Sequence, residues 1–467
     1  MLIPMFCPIE IHQLIVNLLD LKTQINYISC TKCYYENIYV LEIDNRTYSL
    51  KLSDSILRQS KYAFVKKLSI HTNSEITNLN HLKYLQILNI DNSKLRYENI
   101  SELKLLTLKM SNNYINYINN ISKMTSLQKL YANYTNIGID NIKELKLIKL
   151  HIANSKIKDI SQMTTLKSLN LRHCNLINQN GINGLNLIKL DISCTNGITD
   201  LSFMKNLKYL NMTNSDITQS GIMGLNLIEL NISNTKIIDV SHITTLKSLT
   251  ARQCNYFNVN GLNGLRLVEL DVSINPININ ISNITTLKIL RATGSQCGIN
   301  QNSINGLNLV ELKIRTNNKI NSVSHLTNLK ILDASSDKCQ IGQDSMNALD
   351  LIELDISDNH NIISVSHMTN LKILDASGSC GLQQAGIQNL NLLELNVSEN
   401  IHINNLNHIT SLTNLCATYD SQISQSSITA LNLITLNATG NTKIYNVTYM
   451  TNLKNLTMPN QRKIYIN

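Results

Sequence analysis

GLNLIELNIS, residues 224–233, has near twins in GLNLIKLDIS at residues 184–193 and GLRLVELDVS at residues 264–273. Aligned on its central leucine, the phrase recurs at Leu108, Leu150, Leu190, Leu230, Leu270, Leu312, Leu354, Leu395 and Leu436, at intervals of 40 to 42 residues. A second phrase lies between the copies: MTTLKSLNLRHC from residue 163, ITTLKILRATGS from 284 and MTNLKILDASGS from 368. Its leucines are Leu88, Leu130, Leu169, Leu210, Leu249, Leu290, Leu332, Leu374, Leu415 and Leu456, and with Leu68 the chain holds twenty units of 19 to 22 residues. Length alone (467 residues) would suggest two or three domains, but a fixed period predicts one repetitive body.

Each unit reads L-x-x-L-x-[LIMVA]-x-x-[NSTCD], often closed by Ile or Leu two residues later, as in Leu207, Leu210, Met212, Ser215 and Ile217. Period-2 alternation predicts a short strand with Leu and Ile turned inward and the intervening residues outward. One such unit cannot bury its own apolar edge, so copies must stack. The pattern resembles the leucine-rich repeat over residues 68 to about 460. The resemblance implies an α/β solenoid: a horseshoe of about twenty short parallel strands whose convex side is irregular or 3₁₀. At about 4.8 Å between strands the inner arc is about 90 Å long, enough to embrace a folded protein. The ninth position, an Asn in the family, is Asn at 73, 113, 275, 317, 359, 400 and 441, and Ser, Thr or Cys in most other units, with Cys at 174 and 254. Ser and Thr can serve the turn backbone there, and Cys donates weakly.

The segment before the repeats differs. Residues 6–38 place Ile11, Leu14, Ile15, Leu18 and Leu19, then Ile25 and Ile28, at helical spacing around a break at Asp20. The segment resembles an F-box, with Pro8, Glu10, Ile11, Leu18, Asp20, Ile25, Cys30 and Tyr34 at that motif's positions, Cys7 in place of its usual Leu, and no Trp near the end. A plain helical cap on the solenoid is the alternative. The expected organisation is an F-box-like helical segment at 1–40, a connector and cap at 41–64, and the solenoid at 65–467. The F-box resemblance implies that Pro8, Ile11, Leu14, Ile15, Leu18, Leu19 and Ile25 contact a Skp-type adaptor of a cullin ubiquitin ligase, with the repeats holding the substrate. The combination, rich in Asn and Ile, resembles the F-box and leucine-rich-repeat proteins of giant DNA viruses of amoebae, mimivirus-like. A non-catalytic repeat scaffold, in the manner of a phosphatase regulator, is the second reading.

Composition narrows the classes further. Hydrophobic residues make up 43% of the chain, aromatics only 5%, and Trp is absent, so the core is aliphatic. The net charge of +9 is spread along the sequence with acids between the lysines, which argues for solubility rather than nucleic-acid binding. No run reaches the roughly 20 apolar residues of a membrane span, and the start MLIPMFCPIEIHQLIVNLLD lacks the basic region of a signal peptide. A cytoplasmic protein follows, the host cytoplasm if viral, monomeric outside the ligase complex. The ten cysteines are scattered, as free thiols should be. Cys30-x-x-Cys33 is half of a zinc signal and lacks a second pair.

Catalysis finds no support. Glycines fall singly as repeat punctuation, and His242, His325, His367 and His408 recur at one position of alternate units, which marks structure rather than a convergent site. No enzyme activity and no cofactor are expected. Glu229, Glu269, Glu311, Glu353 and Glu394 precede the central leucine in one phrase, while Lys208, Lys247, Lys288, Lys330 and Lys372 stand two before it in the other, a pattern that predicts cross-strand ion pairs. Residues the repeat does not dictate say more about binding. Arg252, Arg291 and Arg315, with Asp333, Asp355 and Asp375 in three successive strands, are the candidate substrate-binding residues. Like charges on adjacent strands cost stability, a cost more readily kept where a partner neutralises it.

Overall fold

The computed structural model describes Thr23 and residues 40–44, 52–70, 76–93, 95–112, 121–258 and 260–458. Apart from Thr23 and Val40, the F-box-like segment, and with it all seven expected adaptor contacts, Cys30 and Cys33, lies outside the described residues, as do Asn73 and Asn113.

The chain divides into two compact units, residues 1–227 and 228–467. The first holds nine described strands of three residues each: Glu42–Asp44 (β1), Lys67–Ser69 (β2), Ile87–Asn89 (β3), Thr107–Lys109 (β4), Lys129–Tyr131 (β5), Lys149–His151 (β6), Ser168–Asn170 (β7), Lys189–Asp191 (β8) and Tyr209–Asn211 (β9). The second holds twelve: Glu229–Asn231 (β10), Ser248–Thr250 (β11), Glu269–Asp271 (β12), Ile289–Arg291 (β13), Glu311–Lys313 (β14), Ile331–Asp333 (β15), Glu353–Asp355 (β16), Ile373–Asp375 (β17), Glu394–Asn396 (β18), Asn414–Cys416 (β19), Thr435–Asn437 (β20) and Asn455–Thr457 (β21). Within each unit successive strands pair in parallel with central leucine opposite central leucine, as in Leu130↔Leu150 and Leu332↔Leu354. Each unit is therefore a parallel-strand solenoid with the leucine-rich-repeat fold.

All twenty leucines read from the sequence sit at the middle of a strand. From Leu68 to Leu436 they are at most 3% exposed, which makes them the spine of the core. Burying a leucine is worth about 2 kcal/mol, and here that gain depends on the neighbouring strand being present. Strand β1 was not foreseen: Ile43 pairs with Leu68 inside the stretch read as connector. Its three residues carry none of the consensus leucines, so periodicity could not register it.

Among the described residues the return path on the other side contains only short helices. In the first unit they include the 3₁₀ turns Tyr97–Asn99, Ile139–Asn141, Gln179–Ile182 and Ser220–Ile222; in the second, the α-turns Gln301–Ile304 and Gln343–Met346 and the 3₁₀ turns Gln384–Ile387 and Gln425–Ser427. About a dozen residues must cross the layer and come back, which leaves room for one turn of helix. The chain leaves most strands through a left-handed residue four positions after the leucine, commonly Asn: Asn92, Asn112, Asn154, Asn214 and Asn234. Ile274 (φ 57°) departs from that preference. The following unit answers with Gly294 (φ 102°), where a Cβ would stand 3.2 Å from Ile274 Cγ1.

Candidate protein-binding face

Because the central leucine points inward, the residues on either side of it point out, and each strand sets two side chains on the open face of the sheet. Parallel pairing then brings residues some twenty apart in sequence to about 4.8 Å. In the second unit this yields an alternation of character along two rows. The row before the leucine reads Glu269, Ile289, Glu311, Ile331, Glu353 and Ile373. The row one residue earlier runs in opposite phase, with Val268, Val310 and Ile352 between lysines and Leu393 after Lys372, all 39–46% exposed. Apolar groups set among charges in this way suit a protein partner, whose interfaces mix the two.

Of the candidate residues, Asp333, Asp355 and Asp375 are brought directly side by side on β15, β16 and β17. Each carboxylate accepts from the serine two residues on, through both its backbone N–H and its hydroxyl; at Asp355 the distances are 2.9 Å and 2.7 Å to Ser357. Asn396 Nδ2 also donates to Asp375 at 2.9 Å. No cation pairs with the three among the described residues. Burial pushes the Asp355 carboxyl above the usual carboxylate range, the charges of Asp333 and Asp375 add to this, and the Ser357 bonds oppose it.

The arginines are arranged differently from a bare basic cluster. Arg291 on β13 reaches Glu269 on β12 and Glu311 on β14, the latter at 3.1 Å, and Lys313 adds a contact to Glu311 at 3.6 Å. Arg252, three residues past Leu249, holds Asp271 at 3.2 Å. Arg315 is exposed, with no ion pair among the described residues. Two of the three guanidiniums are thus neutralised locally, whereas the three carboxylates of the acidic strip have no cation partner among the described residues.

The expected Glu–Lys ion-pair ladder does not form. Lys208, Lys288, Lys330 and Lys372 instead donate to main-chain carbonyls, those of Asn226, Asn308, Asp350 and Asn391, at 3.0–3.2 Å. Standing one residue earlier than the glutamates, these lysines lie on another row, nearer the loop that enters the next strand.

Two rows that the sequence reading did not use, or used only in part, brace the other side. Gln179, Gln301, Gln343, Gln384 and Gln425 each clasp the following unit: Gln343 Nε2 donates to Ser364 O at 2.9 Å, and its Oε1 accepts from the N–H groups of Ile363 and Ser364. Recurrence at one repeat position was the available signal. The histidines are structural, as read: Nε2 of His325, His367 and His408 meets the carbonyls of Ile304, Met346 and Ile387 at 3.0–3.3 Å. Among the described residues no group of His, Cys, Asp and Glu is placed to hold a metal ion, and no helix is long and apolar enough to cross a membrane.

The fold is that of a leucine-rich-repeat solenoid. Among solved structures, the TLR13–ssRNA13 complex is similar, with a TM-score of 0.50 and 20% identity over 87% of this chain and 67% of that one. An internalin, InlF, of Listeria monocytogenes str. 4b F2365 has a TM-score of 0.32 and 18% identity over 69% of this chain and 84% of its own. No family model matches the chain, and no curated protein does.

Proposed function

We propose that the protein is the substrate receptor of a Skp-cullin-F-box ubiquitin ligase, with a viral chain recruiting the ligase of its host. The observation that carries this reading is the sequence spacing of Pro8, Glu10, Ile11, Leu18, Asp20, Ile25, Cys30 and Tyr34 ahead of a repeat solenoid. Residues 6–38 take the adaptor, and the open face between Leu249 and Asp375 takes a protein substrate, with a basic segment against Asp333, Asp355 and Asp375. The work is positional: holding the substrate near a ubiquitin-loaded enzyme raises its effective concentration, and no group of this chain needs to react.

Co-purification from amoebal lysate tests the proposal. Wild-type protein should bring down Skp and cullin peptides, and Ile15→Asp with Leu18→Asp should lose them while the circular dichroism of the repeats is unchanged. Retention of the adaptor by the double variant, or its absence with wild type, sinks the ligase reading. Collapse of the whole fold in the double variant favours the second reading, a non-catalytic scaffold whose N-terminal helices cap the first repeat.

A further inference from the structure

On the first unit, the open face of β4 to β9 has the opposite charge. Its outward positions include Lys109, Lys129, Lys149 and Lys189, and Lys129 stands directly opposite Lys149. Asp191 is the single acid among the residues flanking the leucines of these six strands. Its Oδ1 accepts from the backbone and hydroxyl of Ser193, at 2.9 and 2.6 Å. None of the four lysines makes an ion pair among the described residues; the lysines of this unit that do are Lys67, Lys83 and Lys143. The positive field registers on His151, whose imidazole is pushed down to about 4 by burial first and by Lys149 second.

We propose that this face docks an acidic segment of a protein partner. The choice of carboxylates over nucleic acid follows from the aromatic rings. Single-stranded nucleic acids are held by a basic track together with rings free to stack on bases. Here Lys109 and Lys149 Nζ lie 5.3 and 5.1 Å from the Tyr131 ring centre, and His151 meets the same ring edge-on at 4.8 Å. Tyr209 has Lys189 Nζ at 5.8 Å. The rings are engaged in holding ammonium groups in place, which leaves charge as the main means of recognition. Like-charged neighbours such as Lys129 and Lys149 destabilise a sheet unless an anion lies across them. This inference is independent of the ligase reading, since it concerns other strands and a partner of opposite charge.

The test is fluorescence anisotropy of the full-length chain with labelled oligoglutamate and with oligouridylate of matched net charge. Wild type should bind oligoglutamate the more tightly, with an affinity that falls as salt rises. Replacing three lysines at once, Lys129→Gln, Lys149→Gln and Lys189→Gln, should weaken that binding about tenfold or more, whereas Lys330→Gln with Lys372→Gln should leave it unchanged. If the triple variant is misfolded by its melting curve, acetylation footprinting of wild type decides instead: bound peptide should protect Lys129, Lys149 and Lys189. Tighter binding of oligouridylate overturns the choice of partner. No binding of oligoglutamate by wild type, full binding by a folded triple variant, or unprotected lysines overturns the site.

Discussion

One buried carbonyl recurs along the repeats, that of the residue two past the central leucine, and in eight repeats its owner receives an amide or a thiol from the next. Where that owner is alanine, at Ala251, Ala292, Ala334, Ala376 and Ala417, the next unit supplies the amide of Asn275, Asn317, Asn359, Asn400 or Asn441 at 2.8–3.0 Å. Where it is the larger Ile152, Ile232 or Val272, a thiol arrives instead, from Cys174, Cys254 or Cys297, at 3.1–3.4 Å. At 174 and 254 cysteine thus stands in the place of the family asparagine, while Cys297 reaches its carbonyl from two residues beyond Ser295. Asn317 donates to Ala292 and Ile299 in the core and accepts from Lys319 N–H at 2.8 Å nearer the surface. Asn317→Ala leaves these groups unpaired and should cost about 3 kcal/mol in urea unfolding, and a loss below about 1 kcal/mol would refute this role.

At the scale of the strand, the acidic strip is held by its own serines yet strained by its own charge. A carboxyl raised above its ordinary 3.8 in the folded state favours folding when protonated, so its contribution declines as pH climbs through that value and past its folded pKa. Asp355→Asn keeps an oxygen for Ser357 and removes the charge between Asp333 and Asp375. The variant should match or exceed wild type in stability at neutral pH, by up to about 1 kcal/mol, with the difference vanishing toward about pH 4. Thermal melts across that range check it; a variant less stable at neutral pH would mean the carboxylates are not in conflict. If the strip also meets a basic substrate, the same substitution weakens binding while stability holds.

Each unit as a whole is a stack in which a layer is buried only by its neighbours, and the thiols report on that burial. Burial pushes Cys254, Cys297 and Cys339 up to about 11 and Cys380 to about 12. Among the described thiols, the half-buried Cys194 and Cys416 should react first with an alkylating reagent at about pH 8, and the buried ones only as urea opens their own unit. Mass spectrometry of the labelled peptides follows Cys174 for the first unit and Cys254 to Cys380 for the second. Labelling of Cys297 without denaturant as fast as Cys194 would contradict the packing.

The strands were legible in the sequence because their signal is local: an alternation of period two set inside a repeat of about twenty, which placed twenty leucines at twenty strand centres. The short return turns were expected from the dozen residues left between strands and from the family resemblance, and the adjacency of Asp333, Asp355 and Asp375 followed from the register. What tertiary structure alone decided is which outward side chains meet which partner. The lysines looked dispersed along the chain, yet stacking gathers Lys109, Lys129 and Lys149 on three successive strands with Lys189 two strands further on, while Lys330 and Lys372 turn away from the glutamates to backbone carbonyls. A repeat specifies the row a residue occupies, but the partner of a flexible charged side chain is set by distances of a few ångströms across strands, which no periodicity encodes.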